Sequence, residues 1–415
     1  MLRTFRELIK DTRANIIAIT AVGAASLVGG SGLAVDAVYW YLWKRQLQQA
    51  VDSGALAGAY ALAAGLEVTP AATLDITKNS NTTITVQKVS APPTSGAYSG
   101  NTSAVEVIAT TSRELPFSSM FLDAPPTIRS RAVAAFVSGG EHCVISLAKT
   151  GIGVSVAGTA KILLTCGVAA NSVDIDAIDL DGGSWLTGSP LSSVGGIEYN
   201  ADNIPSDTNL NPYGLPQIDP IASRNLAPPA SPAACTENNF QVQPSTSATI
   251  SPGRYCNGMS LKGNVTMNPG VYIIDKGEFH ISSQASVLGE GVTIILTGDN
   301  ANNMATARFQ GGADVELRAP TQSENATWHS ILIYQNQIGA KAMSELVGDS
   351  DFNLEGVVYM PNGSLKFAGS SGQHADCLLL VAYRLQMTGE TSLATDCDIE
   401  YQDFDTSGRR MRIVE

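Results

Sequence analysis

Six cysteines are the residues whose type and spacing most clearly predict a specific chemistry in this sequence of 415 residues. They fall into three successive pairs with nearly equal spacing: Cys143 with Cys166, Cys235 with Cys256, and Cys377 with Cys397. An even number of cysteines in an exported chain is typical of disulfides formed in an oxidising compartment. We therefore predict these three disulfides and no catalytic thiol.

The densest acidic cluster is the segment VDIDAIDLDGG, which contains Asp174, Asp176, Asp179 and Asp181. Strand alternation predicts that the four carboxylates point outward, while Ile175, Ile178 and Leu180 pack inward. The DLDGG end resembles a calcium loop, which needs oxygen ligands at alternating positions followed by glycine, but no glutamate follows at the required distance. We expect a solvated strand face, with calcium binding as the alternative.

Other patterns that could support catalysis are weak or missing. The four histidines, at positions 142, 280, 329 and 374, are scattered and have no partners at the spacing of metal ligands. The sequence contains no G-x-S-x-G, no H-E-x-x-H and no phosphate-binding glycine loop. Because no set of residues points to a reaction, we expect a protein that is not an enzyme and that uses no cofactor or metal.

Composition and charge exclude several classes of protein. Apolar residues make up 44% of the chain, which is too many for a mostly disordered protein. The net charge is −13, and no basic cluster occurs after the first fifty residues, so nucleic acid is not an expected partner. The first 45 residues carry six Lys or Arg and three Asp or Glu, whereas the remainder carries 19 and 35. A basic end and an acidic body are therefore predicted.

Residues 14–35 form an uncharged run that is long enough for a helix to cross a hydrocarbon core of about 30 Å. Basic residues precede the run and aromatic residues follow it: Arg3, Arg6, Lys10 and Arg13 before, and Tyr39, Trp40, Tyr41 and Trp43 after. This pattern predicts a single-pass protein of the bacterial inner membrane, with a cytoplasmic N-terminus and a periplasmic or extracellular body. A cleaved signal peptide is the alternative, but its apolar region is usually only about 7 to 15 residues long.

Small residues within the run predict close packing against another membrane helix. They are Gly23, Ala25, Ser26, Gly29, Gly30 and Gly32. Asp36 lies just beyond the run, where we expect it either to pair with a cation on a neighbouring subunit or to face water.

Helical spacing continues beyond the span, and Gly65 is the expected C-terminal stop. Residues 1–65 are therefore predicted as a cytoplasmic stub, a membrane span and a continuing amphipathic helix, whose residues Leu47 to Leu62 would meet partner helices. Residues 66–138 alternate apolar and polar side chains in three segments, 82–89, 104–111 and 127–137. A long helix followed by such a small antiparallel sheet is the outline of a pilin.

The segment RANIIAITAVGAASLVGGSGLAVDAVYWYLWKRQLQQAVDSGALAGAYAL resembles the N-terminal segment of TadG-like Flp pilus assembly proteins. The matching features are Asn15, the GLAVD run from Gly32, and the pattern R-x-x-Q-x-A-x-D-x-x-A-L-A-G-A from Arg45 to Ala59. Two features depart from related proteins. Ala14 stands where some of them carry a glycine before a peptidase site, and the D-x-S-x-S metal motif of a von Willebrand A domain is missing.

Residues 139–415 contain short sequence repeats rather than the motif of a von Willebrand A domain. The similar pairs are GVYII at Gly270 with GVTII at Gly291, LKFAG at Leu365 with LQMTG at Leu385, and VSVAG at Val154 with IDLDG at Ile178. Recurrence at a period of about 20 to 25 residues predicts a parallel β-solenoid. Stacked coils would place equivalent cysteines within the Cα separation of about 4.4 to 6.8 Å that a disulfide tolerates. An antiparallel sandwich is the alternative.

Residues 182–247 are rich in proline. This composition predicts a long excursion from one coil, which would be either a contact surface or a covering over one flank.

The sequence as a whole predicts a mainly β protein with a long N-terminal transmembrane helix, a small pilin-like antiparallel sheet and a disulfide-stapled parallel β-helix. The resemblance implies a structural component of a Tad/Flp-type pilus assembly or secretion system. Its partners would be other pilus-assembly or pilin-like membrane proteins, with cell-surface or envelope contact through the solenoid. The alternative is an anchored β-helix protein that binds or cleaves carbohydrate.

Overall fold

The structure is a computed structural model that describes residues 15–80, 82–228, 234–348, 352–369, 374–375, 377–393, 404 and 406–415. It divides into two compact units. The first contains the described residues up to Val137 together with Met411–Glu415, and the second is Ser138–Arg410. The three-part division expected from the sequence, with boundaries at 65 and 138, stays a prediction.

The first unit begins with helix α1 (Asn15–Ala63), which runs for 49 residues without a break. Gly65 ends it, because this residue adopts a φ of 67° and the N–H of Leu66 donates to the carbonyl of Ala61 at 2.8 Å. This is the C-terminal stop predicted from the sequence. Helix α2 (Val68–Lys78) follows at once and was not predicted.

Three antiparallel strands complete the first unit and confirm the predicted sheet. They are β1 (Thr85–Ser90), β2 (Ala104–Ser112) and β3 (Thr127–Ser146), paired in the order β1–β2–β3. One face of this sheet packs on the second half of α1, where Leu47, Val51 and Ala55 are buried against Val107 and Ile128. The alternation of apolar residues in the strands accounts for this core.

The second unit consists mostly of short strands, with two long ones, Phe352–Gly369 and Cys377–Leu393, near its end. In chain order they are β4 (Val154–Val156), β5 (Lys161–Leu164), β6 (Gly167–Ala170), β7 (Ile178–Leu180), β8 (Trp185–Leu186), β9 (Leu191–Ser193), β10 (Ile197–Glu198), β11 (Leu210–Asn211), β12 (Glu237–Val242), β13 (Ser247–Ile250), β14 (Gly253–Leu261), β15 (Asn264–Met267), β16 (Gly270–Asp275), β17 (Glu278–Ile281), β18 (Ser286–Gly289), β19 (Val292–Thr297), β20 (Thr306–Phe309), β21 (Asp314–Arg318), β22 (Ile331–Gln335), β23 (Ser344–Gly348), β24 (Phe352–Gly369), β25 (His374–Ala375), β26 (Cys377–Leu393) and β27 (Ser407–Ile413). The last part of β3 and most of β27 also belong to this unit.

Parallel pairing connects strands that lie roughly one repeat apart in the chain. Val154 of β4 pairs with Ile178 of β7, and Leu365 of β24 pairs with Leu385 of β26, so both repeats have the offset read from the sequence. The third repeat is shifted by one position, because Gly270 pairs with Val292 rather than with Gly291. Within the described residues, the strands form long parallel ladders with apolar side chains buried between them.

The order of strands in space differs from their order in the chain. Strand β26, near the end of the chain, pairs with β3, β4 and β5 from the start of the unit. The ladders then continue through β6 to β9 and end at β11, while β12 pairs with β14 at the other end of the series. The chain between β11 and β12 therefore connects the two ends of the ladders.

The proline-rich segment 182–247 contains both strands and this connection. Strands β8 to β11 lie inside it and pair in parallel with their neighbours. Residues 216–226, which we call the strap, lie along the flank of the ladders: Gln217 and Asn171 exchange hydrogen bonds, and Leu226 accepts one from the hydroxyl of Tyr334 at 2.9 Å. The segment is thus not one continuous excursion, and its strap covers a flank.

Candidate functional site

The first half of helix α1 exposes the residues predicted to pack against other helices. Side chains from Ile19 to Leu42 are mostly exposed, and a Cβ placed on Gly23, Gly29 or Gly30 would meet nothing within 4 Å. Ala25 and Ser26 are exposed as well, although the hydroxyl of Ser26 donates to the carbonyl of Val22. By length and composition the helix could cross a membrane. Arg3, Arg6, Lys10 and Arg13, on which the predicted orientation depends, lie outside the described residues.

Gly32 and Asp36 make contacts that were not expected, since both meet a segment of the same unit. A Cβ on Gly32 would collide with the ring of Phe117. The Asp36 carboxylate is buried and accepts hydrogen bonds from the backbone N–H groups of Phe117 and Ser118, at 2.8 and 2.5 Å, and from the Ser118 hydroxyl. The expectation that Asp36 faces water is therefore wrong, and its pairing with a cation of a neighbouring subunit stays a prediction.

The second half of α1 is likewise occupied within the unit. Gly54 packs on Ile76 and Ala72 of α2, and Gly58 packs on Val105 of β2. The face predicted to meet partner helices, from Leu47 to Leu62, is thus largely covered by α2 and the sheet. Glycine at positions 54 and 58 allows this close approach, because a side chain there would collide with α2 or β2.

Two disulfides join neighbouring segments of the second unit. Cys143 is bonded to Cys166 and Cys235 to Cys256, with Cα separations of 5.7 and 5.8 Å. These are two of the three pairs predicted from the spacing. The third pair includes Cys397, which lies outside the described residues.

The four aspartates of residues 174–181 do not converge on one point. Asp174 accepts a hydrogen bond from the N–H of Gly151 at 2.6 Å, and Asp181 accepts one from the N–H of Gly182. Asp179 lies beside Glu198 in the β7–β10 pairing, and burial together with the neighbouring carboxylates raises its pKa. Ile178 and Leu180 are buried as predicted, but Ile175 is 77% exposed, so its predicted inward position is wrong. Within the described residues, no group of three or more His, Cys, Asp or Glu could hold a metal ion.

Two buried ionisable groups were missed by sequence reasoning. The Glu106 side chain is fully buried and binds Arg131 Nε at 2.6 Å, and Arg131 also binds Glu415 at 2.5 Å. Burial alone would raise the pKa of Glu106, but hydrogen bonds from Ser95, Arg131 and Thr94 hold it well below its ordinary value. In the second unit, burial lowers the pKa of His142 to about 4, although a hydrogen bond with the Thr406 carbonyl opposes the shift.

A groove of about 620 Å³ lies between the strap and the strands in the second unit. Its lining combines polar and apolar surface in similar amounts: Leu147, Lys149, Asn171, Asp219, Ala222, Asn225, Gln337, Tyr359, Pro361, Asn362 and Tyr383. Asp219 already accepts a hydrogen bond from the Tyr359 hydroxyl at 2.8 Å. Burial, reinforced by this carboxylate, raises the pKa of Tyr359, which keeps its phenol neutral. The groove offers amides, phenols, one ammonium and one carboxylate, which suits binding of a neutral polar ligand.

Comparison with known protein families gives a match for one segment of the chain. Residues 15–63 match the model of the TadE/G-like Flp pilus-assembly family, and this confirms the resemblance seen in the sequence. The matched residues coincide with helix α1. Searches of curated proteins and of solved structures find no match.

Proposed function

We propose that this chain is a membrane-anchored structural component of a bacterial Tad/Flp-type pilus assembly or secretion system. The observation that carries the proposal is the coincidence of the family match with α1, residue for residue over 15–63. The second half of that helix packs in the core of its own unit, and this packing accounts for the spacing of its small and apolar residues. The first half contacts little within the chain, and its small residues therefore suit an outside partner.

The proposed anchor crosses the inner membrane once, with its N-terminus in the cytoplasm. Ala25 with Gly29, and Ser26 with Gly30, would let a helix of another pilus-assembly or pilin-like protein approach closely, because small side chains bring backbones together. No hydrophobic force favours association of apolar helices within lipid, so close packing supplies the attraction. Gly23, Gly29 and Gly30 have open space beside them, as this role requires.

The proposed exported body is a disulfide-stapled parallel β-solenoid that contacts proteins or surfaces. Its support is the set of parallel pairings at offsets of one repeat and the two disulfides between neighbouring segments. The periplasm or the outside of the cell would permit these disulfides to form. We propose a structural rather than an enzymatic role for this body.

Deletion of the gene followed by imaging of pili tests the proposal. We expect the deletion strain to lose pili or secretion, and a plasmid copy of the wild-type chain to restore them. The matched control is a plasmid copy lacking residues 15–35, which should fail to restore either. Normal piliation and secretion in the deletion strain would refute the assembly role.

A second candidate function is carbohydrate binding, which the amides and phenols that line the groove beneath the strap favour. Cleavage is less well supported, because glycosidases commonly use two carboxylates about 5 to 9.5 Å apart and Asp219 is the one carboxylate in the described lining. Titration of the purified chain with envelope oligosaccharides tests binding. Saturable binding that Asn362→Ala weakens would support this function, and no binding at millimolar sugar would dismiss it.

A further inference from the structure

The segment Phe117–Leu122, which we call the docked loop, exposes large apolar side chains beside helix α1. Met120, Phe121 and Leu122 are 73%, 72% and 48% exposed. Three consecutive apolar side chains with this exposure are unusual on a surface that faces only water. The loop belongs to the same compact unit as α1, so its position along the helix is defined by direct contacts.

Those contacts place the docked loop on the membrane side of the aromatic residues Tyr39, Trp40, Tyr41 and Trp43. Phe117 meets α1 at Gly32, and the N–H groups of Phe117 and Ser118 meet it at Asp36. With a rise of about 1.5 Å per residue, Gly32 and Asp36 precede Tyr39 by about 10 and 5 Å along the helix. Tyr and Trp side chains tend to lie at the level of the lipid headgroups. The loop is therefore level with the outer end of the proposed span.

The backbone N–H groups of the loop are satisfied in a way that suits such a position. All six N–H groups from residue 117 to residue 122 have acceptors: Asp36 takes the first two, and the carbonyls of Leu115, Phe117 and Ser118 take the others at 2.9 to 3.2 Å. An unpaired backbone group is costly where water is scarce, so this pairing lowers the free-energy cost of placing the loop in contact with lipid. The same pairing explains how the charge of Asp36 is tolerated there.

We propose that the docked loop inserts Met120, Phe121 and Leu122 into the outer leaflet of the membrane that α1 spans, and so acts as a second membrane contact. The occupant of this apolar surface is lipid because the surface continues the exposed apolar face of α1, where Leu33 and Val35 are also exposed. The exposed carboxylates of Glu114 and Asp123 flank the loop and limit its depth to the interface. The proposal rests on the proposed membrane anchor.

Photo-crosslinking to lipid tests the insertion. The full-length chain is placed in vesicles of phosphatidylethanolamine and phosphatidylglycerol, with p-benzoylphenylalanine in place of Phe121, Leu33 or Leu74 in separate samples. Leu33 reports on the span, and Leu74, an exposed residue of α2, serves as the water-facing control. We expect lipid adducts at positions 121 and 33 and none at position 74.

Different failures have different meanings. Adducts at position 33 without adducts at position 121 would overturn the insertion and leave the anchor intact, and so would adducts of position 121 to a second copy of this chain instead of lipid. No lipid adduct at either position would overturn the anchor and the insertion together. As a second measurement, Asp36→Ala should lower adduct formation at position 121 several-fold while leaving position 33 unchanged, and equal yields at position 121 would contradict docking through Asp36.

Discussion

Asp36 and Gly32 show how single residues of α1 determine where a distant loop docks. The Asp36 carboxylate receives three hydrogen bonds from Phe117 and Ser118, and Gly32 leaves room for the Phe117 ring. The partners lie 81 and 82 residues away from Asp36 along the chain. The local spacing of residues in a sequence carries no information about such a distant contact. The sequence therefore predicted a packing role for Gly32 and a boundary position for Asp36, but not their contacts with Phe117 and Ser118.

Gly32→Ala should destabilise the first unit, while Gly30→Ala should not. The new methyl group would collide with the Phe117 ring at position 32 but would meet nothing at position 30. Overpacking of this kind costs about 1 to 3 kcal/mol. Thermal unfolding of the purified chain in detergent would show a lower midpoint for Gly32→Ala alone. Equal midpoints for the two variants would show that the docked loop does not hold Phe117 against α1.

His142 should make the second unit less stable in mild acid. Its folded pKa is about 4, against an ordinary value of about 6.5, because burial disfavours the charged ring. The unfolded chain therefore binds the proton more readily, and stability present above pH 6.5 is lost as the pH falls toward 4. Between pH 7 and pH 5 the loss is about 2 kcal/mol. Denaturant unfolding at both values should show this difference, and His142→Gln should remove most of it.

A wild-type pH dependence unchanged by His142→Gln would assign the effect to other groups. The buried pair of Glu106 and Arg131 is a useful contrast, because its carboxylate stays ionised far below pH 5. It belongs to the first unit, and its titration does not overlap with that of His142 because the pKa of Glu106 lies well below that of His142. Neither buried group could be predicted from the sequence, since each depends on partners from distant segments.

Helix α1 is the element that the sequence predicted best. A long charge-free run, continued helical spacing and Gly65 together predicted its extent and its end. Helix α2 was missed because Val68, Thr69 and Thr73 favour strands and Pro70 suggests a break. Proline is tolerated in a first helical turn, however, and Ala72 and Ile76, one helical turn apart, are both buried. The spacing of Ala72 and Ile76 was the feature of the sequence from which helix α2 could have been predicted.

The disulfide between Cys143 and Cys166 should stabilise the second unit. It closes a loop of 23 residues, and the chain-entropy model predicts a loss of about 3 kcal/mol when it is removed. The double variant Cys143→Ser with Cys166→Ser should unfold at a lower denaturant concentration than the wild-type chain. Cys235→Ser with Cys256→Ser is the matched comparison, because its loop of 21 residues has nearly the same length.

Similar losses for the two double variants would support the entropic explanation. No loss in either would mean that the spacing of the cysteines is unrelated to stability. Nonreducing peptide mapping should recover both pairs, and a different pairing would contradict the predicted stacking of neighbouring repeats. The regular spacing was sufficient to predict these bonds because parallel pairing places equivalent positions of successive repeats next to each other.

At the scale of the whole molecule, the sequence predicted repeats but not their order in space. The repeat offsets read from the sequence agree with the pairings of Leu365 with Leu385 and of Val154 with Ile178. The pairing of β26 with β3 joins segments from opposite ends of the second unit. The spacing between repeats could not predict it, because it relates only segments that are close in the chain. The groove beneath the strap was missed for the same reason, since its lining comes from segments as distant in the chain as Leu147 and Tyr383.

Under the proposed function, the first half of α1 recruits this chain to the pilus machinery through its small residues. Replacement of residues 15–31 by a leucine and alanine sequence of equal length tests it, because this segment ends before the contacts at Gly32 and Asp36. The variant should still reach the membrane and fold. Expressed in the deletion strain, it should restore few or no pili where the wild-type chain restores them fully, and equal numbers of pili from the two chains would contradict the claim.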